Sequence, residues 1–327
     1  MRIKTLHIIL IWVLTLFLVK AEAQDLQFSQ FYSIPMYLSP SFAGSTGGQR
    51  LVANYRNQWP EIPHAFETYA VSYDRYFSRI KSGAGILLTQ DRKGELGIST
   101  TQVDLIYSYD FKITPGIHVR PGVQFQYAYE SINLEMMRTR LQVIIPGSPA
   151  NVSLNRESFG YFDAGASVMF YNEIFWFGST VNHLMQPNYT FGLQKKMPVR
   201  INLYSGLKLL SKGKLLKPNN ENLFLAFNYR QMAKFSQLDI GVLGHKNNFN
   251  LGLWYRGIPV IKENSGSDAV IFMLGYAQEN YSVGISYDVT ISQLKPYTNG
   301  AIELAVIYLF PEQQRKRNRT MVPCPGF

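Results

Sequence analysis

A period of two runs through most of this chain and sets narrow limits on its fold. In Ile117-His118-Val119-Arg120-Pro121-Gly122-Val123-Gln124-Phe125-Gln126-Tyr127 every odd position is apolar or aromatic and every even one polar or glycine. Tyr281-Ser282-Val283-Gly284-Ile285-Ser286-Tyr287-Asp288 follows the same rule throughout. Val103, Leu105, Tyr107, Tyr109 and Phe111 alternate with Gln102, Asp104, Ser108 and Asp110, with Ile106 as the exception, and Phe249, Leu251, Leu253 and Tyr255 alternate with Asn248, Asn250, Gly252 and Arg256. Successive side chains on a strand point to opposite faces, so each segment carries one apolar and one polar face.

Fourteen such segments are predicted, near 50–57, 66–77, 82–91, 97–111, 116–128, 160–171, 174–182, 198–209, 222–230, 236–244, 248–256, 268–277, 280–288 and 300–310. Ten residues at about 3.3 Å each, tilted near 45°, rise about 23 Å. That matches the roughly 25 Å apolar band of an outer-membrane barrel, whereas strands of soluble sheets average nearer 5–6 residues. Short joins near 78–81, 112–115, 172–173, 245–247 and 278–279 alternate with longer ones near 58–65, 129–159, 183–197, 257–267 and 289–299. Barrels of this kind have short periplasmic turns and long outer loops, so both termini are expected in the periplasm. Residues 210–221, a long turn on the short-turn side, and 231–235, a short outer loop, break the parity.

A soluble β-sandwich would alternate too, but it does not need long strands, one-sided loops or aromatic residues near strand ends. Tyr107, Tyr109, Phe125, Tyr127, Tyr287 and Tyr308 suit an aromatic girdle. The expected fold is therefore all-β: a transmembrane antiparallel up-and-down β-barrel of about 14 strands. In lipid every backbone group must be paired, so the sheet must close. The polar faces would then line the lumen with Arg56, Asp74, Asp104, Asp110, Arg120, Asp163, Arg230, Asp239, Arg256 and Glu303. Fourteen strands enclose more space than the eight whose side chains fill a barrel. Unpaired buried charge is costly, which favours an occluded lumen over an open one.

The chain opens with a basic Met-Arg-Ile-Lys, an apolar run from Ile8 to Val19 and Ala21-Glu22-Ala23, the pattern of a secretory signal peptide cleaved after Ala23. The run is shorter than the ~20 residues of a membrane helix. Aromatic residues make up 14% of the chain and charged residues only 17%, against about 25% charged in soluble domains, which again suits a lipid-facing surface. The formal charge is +10, or +8 without Arg2, Lys4, Lys20 and Glu22. The excess gathers in Lys208–Lys217 and in Arg315-Lys316-Arg317-Asn318-Arg319; in a secreted protein these read as solvated turn and tail charge, not as a nucleic-acid site. The single Cys324 cannot form an internal disulfide. The organisation expected is a signal peptide (1–23), an N-terminal plug or periplasmic arm (24–49), the barrel (50–310) and a basic periplasmic tail (311–327).

Residues 24–44 carry a further signal. Gln24-Asp25-Leu26-Gln27-Phe28-Ser29-Gln30-Phe31-Tyr32, then Pro35-Met36-Tyr37-Leu38-Ser39-Pro40-Ser41-Phe42-Ala43-Gly44, resembles the opening of the PorP/SprF family, with Gln27, Phe28, Gln30, Phe31, Tyr32, Pro40 and Gly44 as its landmarks. Asn54-Tyr55-Arg56-Asn57-Gln58-Trp59-Pro60 and Ser72-Tyr73-Asp74 match the next two landmarks, while Leu26, Ile34, Ser39 and Ser41 depart from the pattern. The resemblance is specific in the first quarter of the chain. It implies an outer-membrane protein of the Bacteroidetes type IX secretion system, without catalytic activity or cofactor. It further implies partners in the C-terminal domain of a secreted cargo protein and in other type IX components of the outer membrane and periplasm, and in some members support of gliding motility through surface adhesins. The expected role is to help export such cargo or anchor it at the cell surface. The alternative is an outer-membrane pore or transporter for small solutes.

An enzyme would need converging ligands or a base beside a nucleophile. The mature histidines His64, His118, His183 and His245 fall in separate segments without metal-ligand spacing. His118 faces the predicted lumen, where Asp104 or Asp110 could lie beside it; a hydrogen-bonded lumen histidine is the reading preferred to an acid–base pair. Ser82-Gly83-Ala84-Gly85 lacks the spacing and lysine of a phosphate loop. For cargo docking, the longest connection offers Leu134, Met137 and Leu141 at helical spacing, equally readable as a short helix capping the lumen, and the connection after 183 offers Tyr189 and Phe191.

Overall fold

A computed structural model of the chain describes residues 25–62, 66–94, 97–133, 158–189, 195–214, 217–257, 267–292, 299–311 and 322. Each alternating segment forms a strand. In chain order these are β1 (Gln49–Gln58), β2 (Phe66–Phe77), β3 (Ser82–Lys93), β4 (Ile98–Tyr109), β5 (Phe111–Thr114), β6 (Ile117–Ile132), β7 (Ser158–Tyr171), β8 (Phe175–Asn182), β9 (Arg200–Lys214), β10 (Lys217–Met232), β11 (Phe235–Lys246), β12 (Phe249–Gly257), β13 (Ser267–Gln278), β14 (Tyr281–Thr290) and β15 (Ala301–Leu309). Neighbours pair antiparallel, and β1 closes onto β15 from Arg50↔Leu309 to Gln58↔Ala301. β4 also pairs directly with β6, so the four-residue β5 extends that hairpin outside the ring. The wall is thus a closed antiparallel barrel of 14 strands, as the periodicity predicts, and the sandwich alternative falls.

Parity decides which side chains face out. On β6 Phe125 is 64% exposed while Gln126 beside it is 7% exposed. Leu105, Phe162, Leu251, Leu253, Phe272 and Ile285 stand outward in the same way, with Tyr107, Tyr127, Tyr287 and Tyr308 among them. Such a surface of apolar side chains is unfavourable in water and favourable against lipid. Tyr109 is half-buried.

The strand ends joined by the long connections, 59–65, 133–157, 183–199, 258–266 and 291–300, lie at one end of the barrel. The opposite end carries short turns, and one expectation about it is corrected. Residues 210–221 are not a long turn: β9 runs to Lys214, β10 starts at Lys217, and the join is residues 215–216. The β9–β10 ladder continues to Lys214 and Lys217, with a register shift between Lys217 and Glu221.

The space inside the ring is filled by the chain that precedes β1. Residues 25–48 are almost entirely buried. They contain one helical turn, α1 (Pro35–Leu38), and a 3₁₀ turn (Pro40–Phe42), each opened by a proline whose fixed φ suits that position, with further hydrogen-bonded turns at 31–33 and 43–46. Ser39 caps the second turn by accepting a hydrogen bond from the Ser41 amide at 3.2 Å. Phe31, Tyr32 and Phe42 pack on the wall residues Trp176, Tyr204 and Trp254, with ring centroids 5.1–5.7 Å apart. Leu26, Phe28, Ile34 and Met36 pack on Ala70, Leu87 and Ile106.

Candidate functional site

The lumen is the site, and the N-terminal segment is its occupant. Residues 25–30 lie in the half nearest the long connections. Asp25 meets Arg200 at the start of β9 and His183 one residue past β8, at 2.6 and 2.8 Å. Gln27 donates to Gln237 of β11, and the Leu26 carbonyl accepts from Arg230 of β10. The Ser29 hydroxyl donates to Asp288 of β14, and the Ser29 and Gln30 amides donate to Glu303 of β15 at 2.6 and 3.1 Å. In mid-barrel the Tyr32 hydroxyl meets Met273 of β13, the Leu38 carbonyl accepts from Thr180 of β8, and Ser39 and Ser41 bond Tyr204 of β9 and Ser167 of β7. Residues 43–48 reach the short-turn end, where the Gly44 amide donates to Asp74 of β2 and the Ala43 carbonyl accepts from Ser108 of β4. A Cβ on Gly83 of β3 would collide with that carbonyl, and one on Gly122 of β6 would collide with the Ser41 amide; glycine allows the backbone to come this close. With the Phe28 carbonyl bound by Arg256 of β12 and the Phe42 carbonyl by Arg50 of β1, the segment touches all fourteen wall strands.

The segment therefore runs from the long-connection half down to the short-turn end before turning into β1. β1 begins and β15 ends at the short-turn end, but Asp25 sits toward the other. Strand parity fixes the ends of the wall and not the path of a segment inside it.

Of the charged residues, Arg56, Asp74, Asp104, Arg120, Asp163, Asp239, Arg256 and Glu303 are buried and Asp110 and Arg230 half-buried, and most are brought together. Glu303, Arg56, Asp288, Arg256, Asp239 and Arg230 form one chain of ion pairs, with nitrogen–oxygen separations of 3.4, 3.0, 2.9, 2.9 and 3.5 Å in that order. Three acids alternate with three bases, and Arg56 also donates to the Ser29 hydroxyl. Asp74 pairs with Arg50 at 2.9 Å. Near the short-turn end Asp110 accepts from Tyr171 at 2.9 Å, lies 3.1 Å from His118 and 3.8 Å from Arg120, whose guanidinium covers the Tyr76 and Tyr171 rings. His118 is thus a partner of Asp110; Asp104 stands elsewhere, opposite Gln126. Asp163 accepts from His183 at 2.5 Å.

Sequence reasoning missed Arg50, Asp288, Arg200, His183 and Asp25. Asp288 and Arg50 occupy polar positions of alternating strands, so the signal was present. His183 lies just beyond a strand, at φ 60, where parity gives no guidance. Burial alone would raise the Asp25 carboxyl, but His183 and Arg200 outweigh it and hold it well below the usual carboxylate range. Burial would likewise favour a neutral His183, yet Asp25 and Asp163 push it up to about 9.

Of the docking residues, Leu134, Met137, Leu141 and Phe191 lie outside the described residues. Tyr189 is turned inward, buried in a cluster with Tyr161, Met197 and Met232, while Leu184 and Met185 beside it are exposed. Of the motif residues, Gln30, Phe28, Phe31, Tyr32 and Pro40 are buried against the wall and Gly44 takes the positive φ of 66 that favours glycine. Among the described residues no three His, Cys, Asp or Glu side chains are placed to share a metal ion.

Several solved outer-membrane barrels are similar to this chain. The CymD monoaromatic hydrocarbon channel gives a TM-score of 0.48 at 9% identity, covering 86% of this chain and 93% of its own. The Pseudomonas putida toluene transporter TodX gives 0.47 at 10% identity, covering 87% and 94%. A Pseudomonas aeruginosa FadL homologue gives 0.42 at 10% identity, covering 80% and 90%. No curated protein matches the chain. Residues 20–308 match the family described as type IX secretion system membrane protein PorP/SprF, almost the whole of the barrel and the segment inside it. The chain belongs to that PorP/SprF family.

Proposed function

We propose that this protein is a closed, non-catalytic barrel of the outer membrane that helps export a type IX cargo protein or anchors it at the cell surface. The observation that supports this reading is the occupied lumen. A segment in contact with all fourteen strands, with most of the lumen charges paired around it, leaves the wall as a rigid membrane body and fills the path a small solute would take. The outward apolar side chains would hold that body in lipid, since each buried CH₂ contributes about 0.8 kcal/mol. The long connections would face the cell exterior, and the cargo's C-terminal domain would meet them there, with Leu184 and Met185 at the base of one connection as exposed apolar contacts.

The test pairs two measurements. In planar bilayers the intact protein should show no steady conductance, and from its native outer membrane it should bring down a secreted protein and other type IX components. Replacing 133–157 and 183–199 by short turns should abolish cargo capture while leaving the barrel in the membrane. Steady conductance by the intact protein would favour the solute-pore alternative instead, and unchanged capture would remove the long connections from cargo binding.

A further inference from the structure

Asp104 lines a small cavity of about 20 Å³ between the N-terminal segment and the wall, together with Asp25, Gln124, Gln126, His183 and Arg200. That is space for one or two water molecules. Asp104 is only 3% exposed, and its Oδ1 has no hydrogen-bond partner. Most other lumen charges lie in ion pairs, while Asp91, which accepts from Thr68, and Glu130 are buried among the described residues without one. Arg50 faces Asp74, Arg120 faces Asp110, and Arg56, Arg256 and Arg230 face Glu303, Asp288 and Asp239. Around this cavity Arg200 and His183 are engaged by Asp25 and Asp163, which leaves the Asp104 carboxylate over. The Asn182 amide, turned so that its oxygen faces Arg200, accepts from that guanidinium at 2.6 and 3.2 Å, which further commits Arg200 away from Asp104.

An unmatched carboxylate in so dry a place is costly unless something neutralises it. Gln126 stands directly opposite Asp104 across the β4–β6 pair, and Gln124 and Gln102 are two residues along the same faces. Their side-chain oxygens and the free Oδ1 are hard donors of the kind that bind alkali and alkaline-earth cations. One positive charge balances the cluster; a divalent ion would leave an excess beside Arg200 and His183. We infer that Asp104 holds a monovalent alkali cation in this cavity, with amide oxygens of Gln124 and Gln126 as further ligands. The ion ties β4 and β6 to the segment that fills the lumen.

Thermal unfolding of the refolded full-length protein in sodium, potassium, rubidium and choline chlorides at equal ionic strength tests this. At least one alkali chloride should raise Tm saturably over choline, which is too large to enter. The shift should vanish in Asp104→Asn and persist in Asp74→Asn, whose partner is Arg50. Equal Tm in all four salts, or a shift that survives in Asp104→Asn, would overturn the site. Should Asp104→Asn not fold, rubidium-soaked crystals of the unaltered protein decide: anomalous density against Asp104 Oδ1 supports the ion, and its absence there overturns it. An infrared carbonyl band of a protonated carboxyl, lost only in Asp104→Asn, would also overturn it, because the proton would then be the neutralising charge.

Discussion

Replacing Arg56 by methionine should loosen the occupant of the lumen without dissolving the wall. Arg56 sits on β1 at the joint with β15, and its guanidinium faces Asp288, Glu303 and the Ser29 hydroxyl at once. Methionine keeps much of the side-chain volume and removes the charge. Asp288 then retains Arg256 at 2.9 Å, but Glu303 keeps only the Ser29 and Gln30 amides. Removing one partner of a buried ion pair costs about 3–5 kcal/mol, because the other charge stays buried without compensation. The fourteen-strand ladder is untouched, so the loss falls mainly on the seating of residues 25–30. At about 1.4 kcal/mol per tenfold, openings of the segment should become roughly 10²- to 10³-fold more frequent. Hydrogen exchange read by mass spectrometry on peptides covering 25–34 reports this directly, with peptides from β12 and β13 as internal controls. Arg56→Met/Glu303→Gln, which removes the orphaned charge, should recover a good part of the protection, since residues in contact couple non-additively. If Arg56→Met left exchange at 25–34 unchanged, or if the double variant exchanged faster than the single one, the ion-pair chain would not be what seats the segment.

Three further outcomes follow. Gly83→Val should destabilise the protein by about 1–3 kcal/mol as the branched side chain drives against the Ala43 carbonyl, lowering Tm and raising exchange at residues 40–48, whereas the same change at the open Gly48 should not. The anchor at Asp25 should depend on pH in two directions. Its depressed carboxyl contributes stability above the unfolded value near 4 that is lost as pH falls below it, while His183, raised to about 9, contributes stability that is complete below about 6.5 and lost as pH rises through 9. Protection at 25–30 should therefore be greatest between about pH 4 and 6.5, and Asp25→Asn should flatten both limbs. Phe125→Arg, on the outer face of β6, should cost about 2–4 kcal/mol on insertion into bilayers, measured by folding into vesicles across a urea series; comparable folding of the variant would contradict a lipid-facing Phe125.

What the sequence made legible follows from where its physics leaves a periodic trace. Wherever one face meets lipid and the other a polar interior, alternation is forced, and Phe125–Gln126 or Leu251–Asn250 show which is which. Where a strand runs on without a lipid face and a lumen face to impose alternation, its sequence carries no period; hence β9 and β10 run on through residues read as a turn. The lumen charges on strands were legible because parity alone places Arg56, Asp239, Arg256 and Glu303. Their pairing was not, since it depends on neighbours up to 247 residues away, as for Arg56 and Glu303. The direction of residues 25–48 left no trace at all: an irregular segment with prolines at 35 and 40 reads identically whichever way it is threaded.

The bonds from Ser29 and Gln30 to Glu303 bridge 274 and 273 residues. Both ends of the chain must consequently be present before the interior can set, and a polypeptide still emerging, or truncated ahead of its last strand, lacks the groups that receive those amides. Contacts of such span make slow folders. Maturation of this barrel is thus a late, all-or-nothing event, in which the final stave is laid over a mandrel formed by the segment that precedes the first stave.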